Sequence, residues 1–237
     1  MISLINMPPD WGFGNRILFY NNLRQRAAAE GIGWSSIPWK GSEYFEGVSN
    51  NVHISGGVSL KPCLGEKFFA WHTMSTRDIF KFKDPNPDQF VPSANVAVHF
   101  RGGDFHEWNI DAVLDTEYYI NSINSVLNTV NHFYLFTDDE SLTSYQTVVK
   151  YLKEMGASYS TGENLRSSYI NDFKTMTECD YIISSPSTYC ICAGFIGRYK
   201  KIIHSQKWID NRVSVNDKFW VDLKNGGNKD YSIWRLV

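Results

Sequence analysis

Residues 95–104 read NVAVHFRGGD, and the change of character halfway along this stretch decides the fold. Asn95 to Phe100 is a short apolar run with Pro92 before it and Gly102 after it, the pattern of a buried strand closed by a polar turn. A buried strand does not normally finish in His, Arg and Asp unless a polar partner awaits them, because unpaired charge near a core is costly. Strand alternation sends His99 and Arg101 to the same side, where both can reach one ligand.

Working outward, Tyr118 to Val130 places Tyr119, Ile123, Val126, Leu127 and Val130 at helical spacing behind Asp115 or Thr116 as N-cap. HFYLFT, His132 to Thr137, is a second strand closed by Asp138 and Asp139, and Leu142 to Met155 is an amphipathic helix ending before Gly156. The alternation continues with strands at Ala157 to Ser160, Tyr181 to Ser184 and Lys201 to His204, and helices at Asn171 to Cys179 and Thr188 to Tyr199. Such alternation predicts a parallel sheet with right-handed crossovers, a Rossmann-like lobe over residues 91–210, with ligands at the carboxyl ends of its strands.

Upstream, Ile2 to Asn6 reads as a strand and Asn15 to Glu30 as a helix ending at Gly31, whereas Ile32 to Pro92 has no sustained period. The expectation is a smaller α/β lobe over residues 1–90 and a larger one over 91–237, with Phe82 to Pro92 as linker.

Composition narrows the function. The 237 residues are 43% hydrophobic and 20% charged, which excludes disordered, collagen-like and coiled-coil classes. A net charge of −2 leaves no positive field to draw the chain to nucleic acid or an anionic bilayer, so any anion needs a local site. Aromatic residues make up 15%, and any single ring is expected in the core rather than on a sugar. Cys63, Cys179, Cys190 and Cys192 have neither zinc nor disulfide-scaffold spacing and read as buried thiols. No signal peptide, long apolar span or N-x-S/T site is found, so the expectation is a soluble, cytoplasmic chain.

Three further clusters fall at expected strand ends. WGFGNR, Trp11 to Arg16, is a glycine turn before a helix, where Gly12 and Gly14 let the backbone approach a ligand. SSPSTY, Ser184 to Tyr189, offers hydroxyls and free N–H groups at a helix start, with Ser187 as an ordinary N-cap on the plainer reading. TDDE, Thr137 to Glu140, holds adjacent carboxylates that suit a metal, a helix cap or a ribose equally. Arg101 suits a diphosphate through its planar fork, or ties the turn by pairing with Asp104.

In this order the clusters resemble the fucosyltransferase superfamily of α1,2- and α1,6-fucosyltransferases, nodulation fucosyltransferases and protein O-fucosyltransferases. GFGNR is similar to its Gly-x-Gly-Asn-Gln segment, VHFRGGD to His-x-Arg-x-x-Asp, and LDTEYY to the Leu-Asp-Tyr-Tyr helix start of the α1,2 enzymes. LFTDDESL and DFKTMTECDYIISSPSTYCICAGFIG resemble its later motifs, with Tyr189 in place of Phe. The resemblance implies a GT-B-like fold of two Rossmann-like lobes, the first facing the acceptor and the second the nucleotide sugar. It also implies a GDP-fucose donor, a glycan acceptor, inversion at the anomeric carbon and no metal or other cofactor.

Carried over residue by residue, His99 lies against the nucleoside and Arg101 clamps the β-phosphate. Ser187, Thr188 and Tyr189 line the diphosphate, Asp138 or Asp139 contacts the nucleoside, and Gly14 and Asn15 approach the donor from the first lobe. Asp104 completes the donor motif. The sequence departs from the family at Gly102, where many members have a second Arg, and at Asn109, where members with an identified base keep a carboxylate. Glu107, Asp111 and His106 flank that position as candidate bases, Glu107 foremost. Alternative readings are a catalytically silent nucleotide-sugar or glycan-binding module, a transferase of another nucleotide sugar, and a metal-dependent GT-A enzyme using Asp138 and Glu140.

Overall fold

The computed structural model describes residues 2–4, 7, 12–49, 58–59, 76–84, 94–162, 168–197, 201–214 and 234–236. The start of the WGFGNR segment, Cys63 and most of the expected linker lie outside the described residues.

The first lobe is built from β1 (Ile2–Leu4), α1 (Phe13–Glu30), β2 (Trp34–Ser36), α2 (Gly41–Tyr44), β3 (Val58–Ser59) and α3 (Thr76–Ile79). Its three strands are parallel in the order β2-β1-β3. The helix expected to close at Gly31 does so: Gly31 adopts φ 63 and donates back into the last turn.

The second lobe runs β4 (Asn95–Phe100), α4 (Phe105–Trp108), α5 (Thr116–Asn124), β5 (His132–Thr137), α6 (Thr143–Glu154) and β6 (Tyr159–Ser160). It continues with α7 (Tyr169–Glu178), β7 (Tyr181–Ile183), α8 (Thr188–Ile196), β8 (Lys201–His204), α9 (Gln206–Ser214) and β9 (Trp234–Leu236). All strand pairs are parallel, in the order β6-β5-β4-β7-β8-β9. This is a doubly wound Rossmann sheet, whose winding reverses between β4 and β7. The fold is GT-B-like α/β, as the sequence predicts.

NVAVHF is apolar throughout because β4 is paired on both edges and buried at all six positions. Asp115 caps α5 by accepting the Tyr118 N–H at 2.8 Å. The helix expected to reach Val130 stops at Asn124, and a 3₁₀ turn follows at Leu127–Thr129. There the Ser125 and Thr129 hydroxyls each donate to the carbonyl three residues back, and this competes with helix propagation.

Helix α8 is buried from Cys190 to Ile196 and packs against α1 and α7. At its start the two lobes touch backbone to backbone. A Cβ on Gly14 would stand 2.4 Å from the Tyr189 nitrogen, so only glycine permits this approach. The buried Cys192 thiol donates to the Gly14 carbonyl at 3.3 Å, and Phe13 stacks beside it on Phe45 and edge-on to Phe173. Among the described residues, most aromatic rings lie in the core or pack against it, as expected.

Gly14→Ala should destabilise the chain by about 1–3 kcal/mol through overpacking against a rigid backbone. Gly12→Ala, whose added Cβ meets nothing within 4 Å, should cost no more than about 1 kcal/mol. Urea denaturation of the two variants measures the contrast.

Candidate active site

The reversal of winding directs the carboxyl ends of β4 and β7 into one cleft of about 980 Å³, with the start of α1 on its far side. A volume of that order suits a nucleotide-sized ligand. Gly14, Asn15, His99, Arg101, Asp104, Asp138, Ser187, Thr188 and Tyr189 all line it. Motifs separated by up to 175 positions in the chain, from Gly14 to Tyr189, therefore converge.

Arg101 stands at the end of β4 between two carboxylates, with Asp104 at 2.5 Å on one terminal nitrogen and Asp138 at 2.7 Å on the other. Phe105 packs on its guanidinium at 4.9 Å, and its Nε is enclosed with no hydrogen-bond partner. The Arg101–Asp104 tie anticipated as the plainer reading is present, and Arg101 faces the cleft at the same time. Asp138 also accepts the Gly102 N–H at 2.9 Å, so it pins the turn after β4 to the end of β5. Gly103 has φ 35, and a Cβ there would lie 2.6 Å from Asp138, which accounts for the second glycine of this turn.

His99 is buried, its Nδ1 paired with the Ser185 hydroxyl at 2.7 Å. Burial, reinforced by the Arg101 charge, lowers its pKa to about 3, so the ring is neutral at physiological pH. Nε2 is the ring nitrogen left for a ligand. The Ser187 hydroxyl accepts the Tyr189 N–H at the start of α8, which realises the N-cap reading in a residue that also lines the cleft. The starts of α1 and α8 meet here, α1 without a side-chain cap and α8 capped by Ser187, so two positive dipole ends lie at the cleft that their residues line.

A further residue, not singled out from sequence, lies in the first turn of α7. Asp172 is half-buried, lines the cleft, and its Oδ1 is enclosed without a hydrogen-bond partner. Burial pushes its carboxyl up from 3.8 to about 6, against the stabilising effect of the helix start. Tyr189 stands beside it, held by a hydrogen bond from its hydroxyl to the Tyr169 carbonyl. In sequence it reads as an ordinary first-turn acid of that helix, beside the buried Phe173. Lys40, Arg16, Trp108 and Arg212 also line the cleft, from four separate elements or turns.

The other expected residues sit elsewhere. Asp139 accepts from both the Ser141 N–H and its hydroxyl and holds the turn after β5. Asp111 accepts from the Asn211 amide at 2.8 Å and lines a separate hollow of about 150 Å³. Glu107 and His106 are exposed on α4, and neither is among the residues lining the cleft. Asn109 caps the turn after α4 by accepting the Asp111 N–H.

A parallel sheet whose strand ends open into one cleft, with an arginine at its floor and the first lobe's α1 start opposite, is a GT-B-like α/β build, and a family match makes its class of enzyme that of the glycosyltransferases. The profile of glycosyl transferase family 11 matches residues 86–222, more than half of the chain, and the chain belongs to that family of fucosyltransferase-type enzymes. No curated protein matches it.

Asp172 sets a pH dependence. Its folded pKa of about 6 lies above the ordinary 3.8, so between those values the folded state holds the extra proton. The stability contributed by this group is present at pH 4 and lost as pH rises through 6. Asp172→Asn should abolish that fall and raise the neutral-pH melting temperature of the ligand-free chain, as read by thermal melts from pH 4 to pH 8.

Proposed function

We propose that the chain is an inverting, metal-independent fucosyltransferase that carries fucose from GDP-fucose to a glycan acceptor. The observation that carries the donor is Asp172, an enclosed carboxylate oxygen without a partner beside the diphosphate cradle. Guanine presents adjacent N1–H and N2–H donors that a carboxylate accepts together, whereas uracil presents one N–H flanked by two carbonyl oxygens that repel it. A buried site built to accept such donors rejects bases that lack them. Neutral His99, on the floor of the same cleft, supplies Nε2 to the nucleoside or its phosphate.

The diphosphate lies between Arg101 and the start of α8. The Arg101–Asp104 pair is largely solvent-exposed on the Asp104 side and correspondingly weak, so an incoming phosphate displaces that carboxylate. Asp138 stays in place and keeps the guanidinium aimed. As the bond from the anomeric carbon to the phosphate oxygen breaks, charge grows on the phosphate. Arg101 and the start of α8, through the Thr188 N–H and the helix dipole, then stabilise it. The acceptor hydroxyl attacks the opposite face of the anomeric carbon, which inverts its configuration. The glycosidic C–O bond forms as the bond to the phosphate oxygen breaks, GDP leaves as the anion, and the hydroxyl proton passes to water in the open cleft.

Metal independence is supported by where the TDDE carboxylates go. Asp138 is engaged by Arg101 and Gly102, and Glu140 is exposed and not among the residues lining the cleft, so the pair that the GT-A reading would use is not brought together there.

Calorimetry should show GDP binding at least tenfold tighter than UDP, with the preference lost in Asp172→Asn. Equal affinity for both nucleotides in the unaltered chain rejects the donor. Transfer from GDP-fucose should persist in EDTA, and dependence on added Mn²⁺ would move the assignment to a metal enzyme.

Arg101→Lys keeps the charge but loses the fork, so kcat should fall more than GDP affinity. Arg101→Ala should lower kcat by ~10²- to 10³-fold in a chain that remains folded. Steady-state kinetics alongside circular dichroism check both.

A further inference from the structure

Among the described residues, the large hydrophobic side chains that stay exposed include two aromatics, Trp108 at 57% and Tyr169 at 43%, and both line the cleft. They stand on different walls. Tyr169 precedes Asp172 on α7 and joins Phe13 and Tyr44, so it belongs to the wall that holds Asp172. Trp108 ends α4, the short helix that follows Arg101, and faces α9.

The rings beside Trp108 form a continuous path from the reaction centre. Phe105 packs on the Arg101 guanidinium at 4.9 Å and on Trp108 at 5.0 Å. Trp108 in turn lies 6.2 Å from Trp208, and the Arg212 guanidinium sits 5.4 Å from the Trp208 ring and 6.0 Å from that of Trp108. Trp208 is buried and fixes the base of this wall. Asp104 accepts the Trp108 N–H through its carbonyl at 3.0 Å, so the indole is tethered to the same turn as the Arg101 site.

We infer that Trp108 is the acceptor platform: a pyranoside ring of the acceptor glycan lies on the exposed indole face, with Arg212 at its edge. This rests on the donor reading above, because a base held at Asp172 leaves the Trp108 wall to the other substrate. A pyranose ring carries axial C–H bonds on one face, and their weak positive charge suits the negative face of an indole. Its hydroxyl rim suits the guanidinium of Arg212 as donor. Leaving a tryptophan more than half exposed keeps apolar surface in water, a cost that a binding surface offsets when its ligand covers it. Stacking orients the ring, and the hydroxyl at its Arg101-facing edge then meets the anomeric carbon.

The test uses the full chain, with and without GDP, and the methyl glycosides of galactose, glucose, mannose and N-acetylglucosamine as probes. Saturation-transfer NMR should show at least one glycoside receiving saturation mainly on the ring protons of one face. Trp108→Ala should weaken that glycoside roughly tenfold, and Trp108→Phe, which keeps an aromatic face, by less. GDP affinity should stay the same in both variants. Unchanged glycoside affinity in Trp108→Ala, or no binding of any probe to the unaltered chain, overturns the inference. So does a loss of GDP affinity, which would make Trp108 a base-stacking residue. A change of oligomeric state in sedimentation would make it a contact between copies and also overturn it. Failure of the donor reading is distinct: the unaltered chain would then bind a glycoside and ignore GDP.

Discussion

The contact of Gly14 with the Tyr189 backbone is the constraint on which the site depends. Each lobe has its own parallel sheet, and nothing in a Rossmann lobe dictates where a second lobe docks. Here the docking point is the start of α8, which a Cβ at position 14 would push away. The contact brings two helix N-termini to one point, that of α1 without a side-chain cap, and thereby concentrates positive dipole ends in a chain of net charge −2. The buried Cys192 thiol and Phe13 reinforce the approach from either side, so the meeting point is part of the core.

Charge at the cleft floor follows from the same geometry. Arg101 leaves a buried strand and needs carboxylates to remain there when no anion is bound, and Asp104 and Asp138 supply them. The two are not equivalent. Asp138 also holds the Gly102 N–H, so it belongs to the scaffold, whereas the Asp104 side chain is exposed and exchangeable. His99 carries no charge in this setting, because burial outweighs any tendency to protonate. Asp172 is the opposite case, a carboxylate kept partly in apolar surroundings with one oxygen unpartnered, a local destabilisation of the kind that binding sites retain.

Much of the second lobe was legible because its strands are short, apolar and punctuated. HFYLFT and KIIH form strands with the bounds read from the sequence, and Asp115 caps the helix it was assigned to. The helix after Asp115 ran past its true end, because apolar spacing does not register hydroxyls that turn back on the carbonyls behind them. In the first lobe, Trp34–Ser36 and Val58–Ser59 went unread, being too short to show a period. The clusters read at strand ends bring Arg101, Asp138 and Ser187 to the cleft, since a polar cluster after an apolar run is a local signal, while Asp139 holds its own turn instead. Asp172 was not, because its environment comes from α8 and Tyr189 rather than from neighbours in sequence. The candidate bases near Asn109 failed to reach the cleft for a related reason. In a four-residue helix successive side chains fan out by about 100° each, so proximity along the chain to Arg101 does not give proximity in space.

The two substrates meet surfaces of different kinds. The diphosphate region is built from strand ends and the first turns of packed helices, elements whose backbones are fixed by a buried sheet. A departing group requires such fixity, since donors that reorganise during bond breaking stabilise less. The Trp108 wall hangs instead on a short helix and the turns around it, tied to the rest of the fold through Arg101, Phe105 and the buried Trp208. Loop-borne residues on a rigid frame are where specificity changes without loss of chemistry. On the proposed reading, an exposed indole at that place separates the roles: the strand ends hold the leaving group, and the α4 turn receives the acceptor.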